Sequence, residues 1–163
     1  MKDKEIENID LEILKILSED GRSSHRSIAT ELEKSHLTIK KHIDDLEKNK
    51  IIKGYSVDVD FEKLGYDIIA LIEITISKGK MLEVEKDIAH HPNIYGVYDV
   101  TGVYDAIILA RFKTRNELSS LVKKINSYEY VVRTNTHLIL NVIKEGTSFS
   151  DLESSVNKTE TLN

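Results

Sequence analysis

The chain has 163 residues, 40% of them hydrophobic and 31% charged, enough for one globular domain or two small ones, and no apolar run or N-terminal core suggests a membrane span or signal peptide. It contains no Cys, which excludes disulfides, thiol chemistry and a Cys-based zinc site, and a cytoplasmic protein is expected. The net charge is −5 and neither part is basic: residues 1–60 carry 11 Lys/Arg against 14 Asp/Glu, the remainder 12 against 14, so any nucleic-acid-binding face must be a local patch.

In IDLEILKILSEDG, Asp10 reads as the cap of a first helix whose Ile13, Leu14, Ile16 and Leu17 recur at helical spacing, with Gly21 at its end. Ser23-Ser24 offer a cap for the short segment HRSIATELE, which carries Ile28, Ala29 and Leu32 on one face. Ser35 caps a third helix, SHLTIKKHIDDLEKNK, in which Ile39, Ile43 and Leu46 form a narrow apolar stripe. Three short helices in succession predict a bundle of the helix-turn-helix class.

After Gly54 the apolar period changes to two. IIKGYSVDVDFEKLGY reads as a wing strand and connector, DIIALIEITIS as a strand, and MLEVEKDIAHH as a helix closed by Pro92. NIYGVYDVTG and YDAIILARF form a hairpin through Gly102 and Val103, followed by a helix, RNELSSLVKKINSY, and a last strand, VVRTNTHLILNVI. The order βαββαβ is the ferredoxin-like split unit, so the fold class is α+β. The expected organisation is a winged helix-turn-helix over 1–53, a wing and connector over 54–66, a ferredoxin-like domain over 67–145 and a polar, mobile tail over 146–163.

The strands are apolar on both faces: Ile68, Ala70, Ile72, Ile74 and Ile76 share one face of the first, and Ile69 and Leu71 lie on the other. Helices on one side leave the second apolar face needing cover, and another copy of the same sheet predicts a homodimer. At the hairpin, Gly102 permits a backbone conformation that a Cβ resists, and Asp105 suits a turn carboxylate accepting backbone N–H groups. Neither GxGxxG nor GxxxxGK[ST] occurs, so there is no phosphate loop.

The ordered set Ile9-Asp10, Ile13-Leu14, Ser35, Thr38-Ile39, Ile43, Leu46-Glu47, Ile52 and Gly54-Tyr55, then VTGVYDAII from Val100 to Ile108, then Thr134 and Thr136, resembles the Lrp/AsnC family of bacterial and archaeal transcription regulators. The resemblance runs from about Ile9 to Lys144. Three departures stand out. Glu33 and Lys50 occupy places where the family often has Gly, His42 replaces the usual Arg of the recognition helix, and Val103 replaces the first Asp of the hairpin. The first two bear on DNA affinity and the third on amino-acid recognition.

The resemblance implies double-stranded DNA as partner, with no catalytic residue, no cofactor and no metal site. With the stripe of the third helix turned inward, His36, Leu37, Lys40 and Lys41 are the candidates for base edges, Leu37 for a thymine methyl. Arg22, Ser24, Arg26 and Lys53 are the candidate phosphate contacts, and Ser35 and Thr38 at the helix start complete the DNA-binding set. In the family, the hairpin and last strand line a cleft between dimers that receives small effectors, often amino acids. Carried across, the effector candidates are Gly102, Tyr104, Asp105, Thr134, Thr136 and His137, with Asp105 pairing the α-amino group and hairpin N–H groups taking the α-carboxylate. A chain with an effector and one without both stay open, as does assembly of dimers into tetramers or octamers.

Two rival functions fit parts of the sequence. A winged-helix adaptor that binds protein and never DNA draws on the acidic balance. An enzyme similar to the siroheme decarboxylases would need His and Arg around a tetrapyrrole, and His90-His91 stand at a helix end before Pro92. The six His are scattered, with no spacing that suits a metal sensor.

Overall fold

Hydroxyl caps open two of the three N-terminal helices where the sequence places them. Ser24 accepts the Ser27 N–H at 3.1 Å and Ser35 accepts the Thr38 N–H at 3.0 Å, starting α2 (His25–Glu31) and α3 (His36–Lys48). The computed structural model describes residues 5–77, 86–146 and 148–153. Within them α1 spans Asn8–Glu19, so Asp10 lies inside its first turn and is not the cap. Its Oδ2 accepts the Glu7 N–H at 3.0 Å. A carboxylate at either place serves the free N–H groups of a helix start, which is why the sequence alone misplaces the boundary.

Both α2 and α3 end in the same way. The Lys34 N–H reaches the Ala29 carbonyl and the Ile51 N–H the Leu46 carbonyl, each at 2.9 Å, closing Schellman turns. Such a turn puts its pivot residue in the left-handed region, and the pivots are Glu33 (φ 53°) and Lys50 (φ 57°). These are the two positions where the family often has Gly, so the departures bear on helix termination.

The chain divides into two compact units, residues 1–58 with 144–163, and residues 59–143. In the first, Ile13, Ile28, Ala29, Ile39, Ile43 and Leu46 form the core, the stripe expected from their spacing. Each fully buried Ile or Leu there contributes about 1.5–3 kcal/mol over an exposed position. The expected wing is different. Residues 53–60 form no strand, because no described strand of this unit offers their backbone a partner. Tyr55 is held by its hydroxyl, which donates to Glu47 at 3.0 Å.

The tail also differs from expectation. Residues 149–153 are helical and pack on α1: the Ser150 N–H donates to Ser18 Oγ at 3.2 Å, and Lys15 meets Glu153 at 3.3 Å. A hydroxyl and an ammonium on α1 give this short polar stretch partners that its composition does not reveal.

In the second unit β1 (Ile68–Ile76), β2 (Ile94–Asp99), β3 (Ala106–Phe112) and β4 (Val131–Ile139) form an antiparallel sheet in the order β2-β3-β1-β4. The helix α4 (Arg115–Asn126) is opened by a capping box between Thr114 and Glu117. The other expected helix, over 81–91, lies largely outside the described residues, although 86–89 are helical and Ile88 is buried in the core. Ala70, Ile72, Ile74, Ile76, Ala106, Ile108, Ala110 and Phe112 are buried with Leu121 and Ile125 of α4. Ile69, Leu71, Ile107 and Leu109 are half-buried on the other face, as alternation requires. The last strand stops at Ile139, paired with Ile69 near the start of β1.

Glu33→Gly and Lys50→Gly should each raise the stability of the first unit by up to about 1 kcal/mol, the left-handed penalty less the entropy cost of Gly. Urea denaturation checks this, and a loss of stability in both variants contradicts it.

Candidate functional site

Alternation around α3 divides it cleanly. Ile39, Ile43 and Leu46 are buried, while His36, Leu37, Lys40 and Lys41 are exposed, Leu37 by 76%. A leucine left this open at the start of a helix has no folding role in the unit. Ser35 and Thr38 bond each other through their hydroxyls at 2.8 Å and serve the cap, with Thr38 half-buried. Arg22, Ser24, Arg26 and Lys53 are exposed. Arg22 sits in the turn before α2, where its N–H donates to Asp20 Oδ1 at 2.9 Å. Ser24 is occupied as the α2 cap. The His36 ring lies 5.9 Å from that of His25.

His42 does not belong to this face. Its Nδ1 lies 2.8 Å from Oδ1 of Asp10, which has 0% exposure. Replacement of Arg by His therefore changes a link between α3 and α1, while Lys40 and Lys41 remain the outward cations. Glu7, Asp10 and His42 bring three donor atoms within 4.8 Å of one another. Both Asp10 oxygens already have partners in the Glu7 N–H and His42, so this is a capping network in which the buried carboxylate is satisfied.

The effector candidates separate. Gly102 has φ +127° and open space where a Cβ would stand. Asp105 takes the role of a turn carboxylate: its Oδ2 accepts the Ile76 N–H at 2.7 Å and its own N–H donates to the Ile74 carbonyl at 2.9 Å. Thr134 faces the helices, bonded to Asn126 at 3.0 Å, and Thr136 is exposed on that same face, opposite Ile72. His137, one residue on, points to the open face. Period-two alternation forbids all three from lining one cleft.

What the fold brings together on the open face is His137, Tyr104 and a residue the sequence reading missed. Glu73 Oε2 lies 3.0 Å from His137 Nε2 and accepts Asn135 Nδ2 at 2.8 Å. Hydrogen bonding to His137 first, then to Asn135, holds the Glu73 carboxyl below the usual glutamate range, and Tyr104 adds a further hydrogen bond. Arg133 donates to the Tyr104 hydroxyl at 3.2 Å, its guanidinium 5.3 Å from the ring centre. The signal for Glu73 was present: it is the single charge inside the apolar run IIALIEITI. A cavity of about 780 Å³ opens here, between Glu73 and Ile107 of the sheet and hairpin residues that include Asp99, Thr101, Val103 and Tyr104.

Residues 6–53 match the model described as winged helix-turn-helix DNA-binding, and residues 69–149 match the Lrp/AsnC ligand binding domain. A helix-turn-helix-type transcriptional regulator of Pyrococcus furiosus is 41% identical over 141 residues, covering 86% of this chain and 95% of that protein. The chain belongs to the Lrp/AsnC family of transcriptional regulators. Regulator FL11 of Pyrococcus horikoshii is 34% identical over 142 residues, covering 87% of this chain and 94% of the relative. E. coli AsnC shares the fold at a TM-score of 0.81 and 24% identity, with 88% of this chain and 98% of that one covered. A Neisseria meningitidis regulator solved as a complex with L-Met does so at 0.80 and 23%, with 88% and 96% covered. Family membership places the chain among helix-turn-helix DNA-binding regulators and not among enzymes, which sets aside the decarboxylase-like reading and the adaptor without DNA. No described helix is long and apolar enough to cross a membrane.

Asp105→Ala should cost about 1–3 kcal/mol, the penalty for leaving the Ile76 N–H without its acceptor, and Asp105→Asn distinctly less. Thermal denaturation of the pair tests this, and equal losses would contradict the backbone-acceptor role.

Proposed function

We propose that this regulator binds DNA as a homodimer through α3 and its flanks, and that a small amino-acid effector at the hairpin modulates it. The observation that carries the DNA part is the exposed face of α3, where Leu37, Lys40, Lys41 and His36 stand over a buried Ile stripe. In helix-turn-helix docking the first turns of the recognition helix meet base edges, and cations on preceding segments meet phosphate. The assigned roles follow: His36, Leu37, Lys40 and Lys41 read bases, Ser35 and Thr38 fix the start of α3, and Arg22, Ser24, Arg26 and Lys53 hold register on the backbone. With so few cations, affinity leans on two recognition helices acting together.

The homodimer rests on the open sheet face, where Ile69, Leu71, Ile107 and Leu109 leave apolar surface that a second copy would cover. The effector reading rests on the cavity at the hairpin and on the complex of the Neisseria relative with L-Met. Tyr104 lines that cavity, with Gly102 in the hairpin beside it and His137 joined to its Glu73. Asp105 contributes through its second oxygen, while Thr134 and Thr136 lie on the opposite face of the sheet, away from this cavity.

The deciding experiment is a gel shift on DNA upstream of the protein's own gene, at two salt concentrations. Saturable binding is expected, with the slope of log K against log salt reduced by about one for each phosphate cation removed, hence by about two in Arg22→Ala plus Arg26→Ala. No shift at low salt contradicts the DNA reading. For the dimer, Leu109→Asp should yield monomers in sedimentation analysis and weaken DNA binding together; a variant that stays dimeric rejects this face as the interface.

A further inference from the structure

We infer that DNA binding by this chain is coupled to proton uptake at a pair of imidazoles, His25 and His36, with His25 a further contact to the DNA backbone. This rests on the DNA-binding face proposed for α3 and adds one residue and a proton to it. His25 opens α2 and His36 opens α3, and their rings stand 5.9 Å apart, tilted by 47°. His25 lies between Ser24 and Arg26, within the set assigned to phosphate, and His36 is the first of the residues assigned to base edges. The pair therefore joins the two parts of the proposed interface.

Of the six His in the chain, the other four are engaged inside the protein. His42 meets Asp10, His137 meets Glu73, His90 meets the Lys86 carbonyl, and His91 accepts the Asn93 N–H. His25 and His36 make no hydrogen bond or ion pair among the described residues, which leaves their ring nitrogens to a partner from outside. The charged and titratable groups around them are Arg22 and Arg26 beside His25, Lys40 one turn along α3 from His36, and Glu33 and Lys34 in the turn between the helices. Glu47 and Tyr55 line a cavity of about 190 Å³ with His25, and Glu47 accepts the Tyr55 hydroxyl at 3.0 Å. No carboxylate supplies either ring with a counter-charge among the described residues.

DNA supplies one. A duplex carries a negative charge for about every 1.7 Å of its axis, and a charge of that sign favours the protonated form of an imidazole beside it. Phosphate oxygens and the O6 and N7 edge of guanine only accept hydrogen bonds, and a protonated imidazole offers a donor at both nitrogens where the neutral ring offers one. Imidazole changes charge between about pH 5 and 8, so binding draws protons onto the pair and strengthens as pH falls through that range. In a chain of net charge −5, each cation gained at this face counts.

Fluorescence anisotropy of the full chain on labelled duplex from its own upstream region, at about pH 6 and about pH 8 and at two salt concentrations, tests this. Affinity should fall at least about tenfold between the two pH values, since one fully linked proton changes the constant tenfold per pH unit. His25→Gln and His36→Gln, which keep a donor and an acceptor and cannot take the charge, should each reduce the fall, and together bring it within about twofold. The slope of log K against log salt should be steeper by about one at the lower pH in the unaltered chain and equal at both in His25→Gln, as loss of one phosphate contact requires. Thermal unfolding at both pH values checks that the variants are folded. An affinity independent of pH, or a salt slope equal at both pH values in the unaltered chain, overturns the proposal without any variant. A fall that folded His25→Gln leaves unchanged also overturns it, and the DNA reading stands in each case. No binding at either pH overturns both.

Discussion

Alternation of side chains along β1 is the constraint on which the second unit depends. Its even-numbered residues, Ala70, Ile72, Ile74 and Ile76, are buried beneath the helices, so its odd-numbered residues must face the other way. That obligation sets Ile69 and Leu71 on an open apolar face and Glu73 beside them. A slip of one residue would bury the carboxylate in the core and expose four apolar side chains, so register is strongly specified. Pairing then does the rest. Glu73 lies across from Asn135 on β4, with His137 two residues on, which assembles a polar cluster from two strands and Tyr104 of the hairpin.

The first unit obeys the same logic at the helical period. One stripe of α3 closes the core, and its first two turns present outward a leucine, two lysines and a histidine. Charge at this face is local, consistent with an acidic chain that nevertheless belongs to a DNA-binding family. His42, which by composition looks like a lost cation on the recognition helix, is turned toward buried Asp10. The departures at Glu33 and Lys50 likewise concern how helices stop. Both residues occupy left-handed pivots that glycine adopts at lower cost.

Two carboxylates near the hairpin have different work. Asp105 bridges β3 to the backbone of β1 and keeps the hairpin end of the sheet together. Glu73 is bound by side chains only and is open to the cavity. A conspicuous motif residue is thus chiefly structural, and the less conspicuous one carries the charge of the pocket. Arg133 and Tyr104 occupy each other's polar groups at the rim, ordering two long side chains that would otherwise be free.

The sequence by itself determined the order of elements, the buried stripe of α3, the serine caps, the two-faced apolar strands and the family. These depend on residues within a turn or two of one another, where periodicity, hydroxyl caps and Gly leave a direct trace. It could not determine that Asp105 is bonded to β1, or that residues 149–153 return to α1. Nor could it pair Glu73 with His137, which lies 64 residues away. Only tertiary structure decided these points, because a carboxylate acquires its partners from strand register and helix packing, and neither is written in the spacing along one segment.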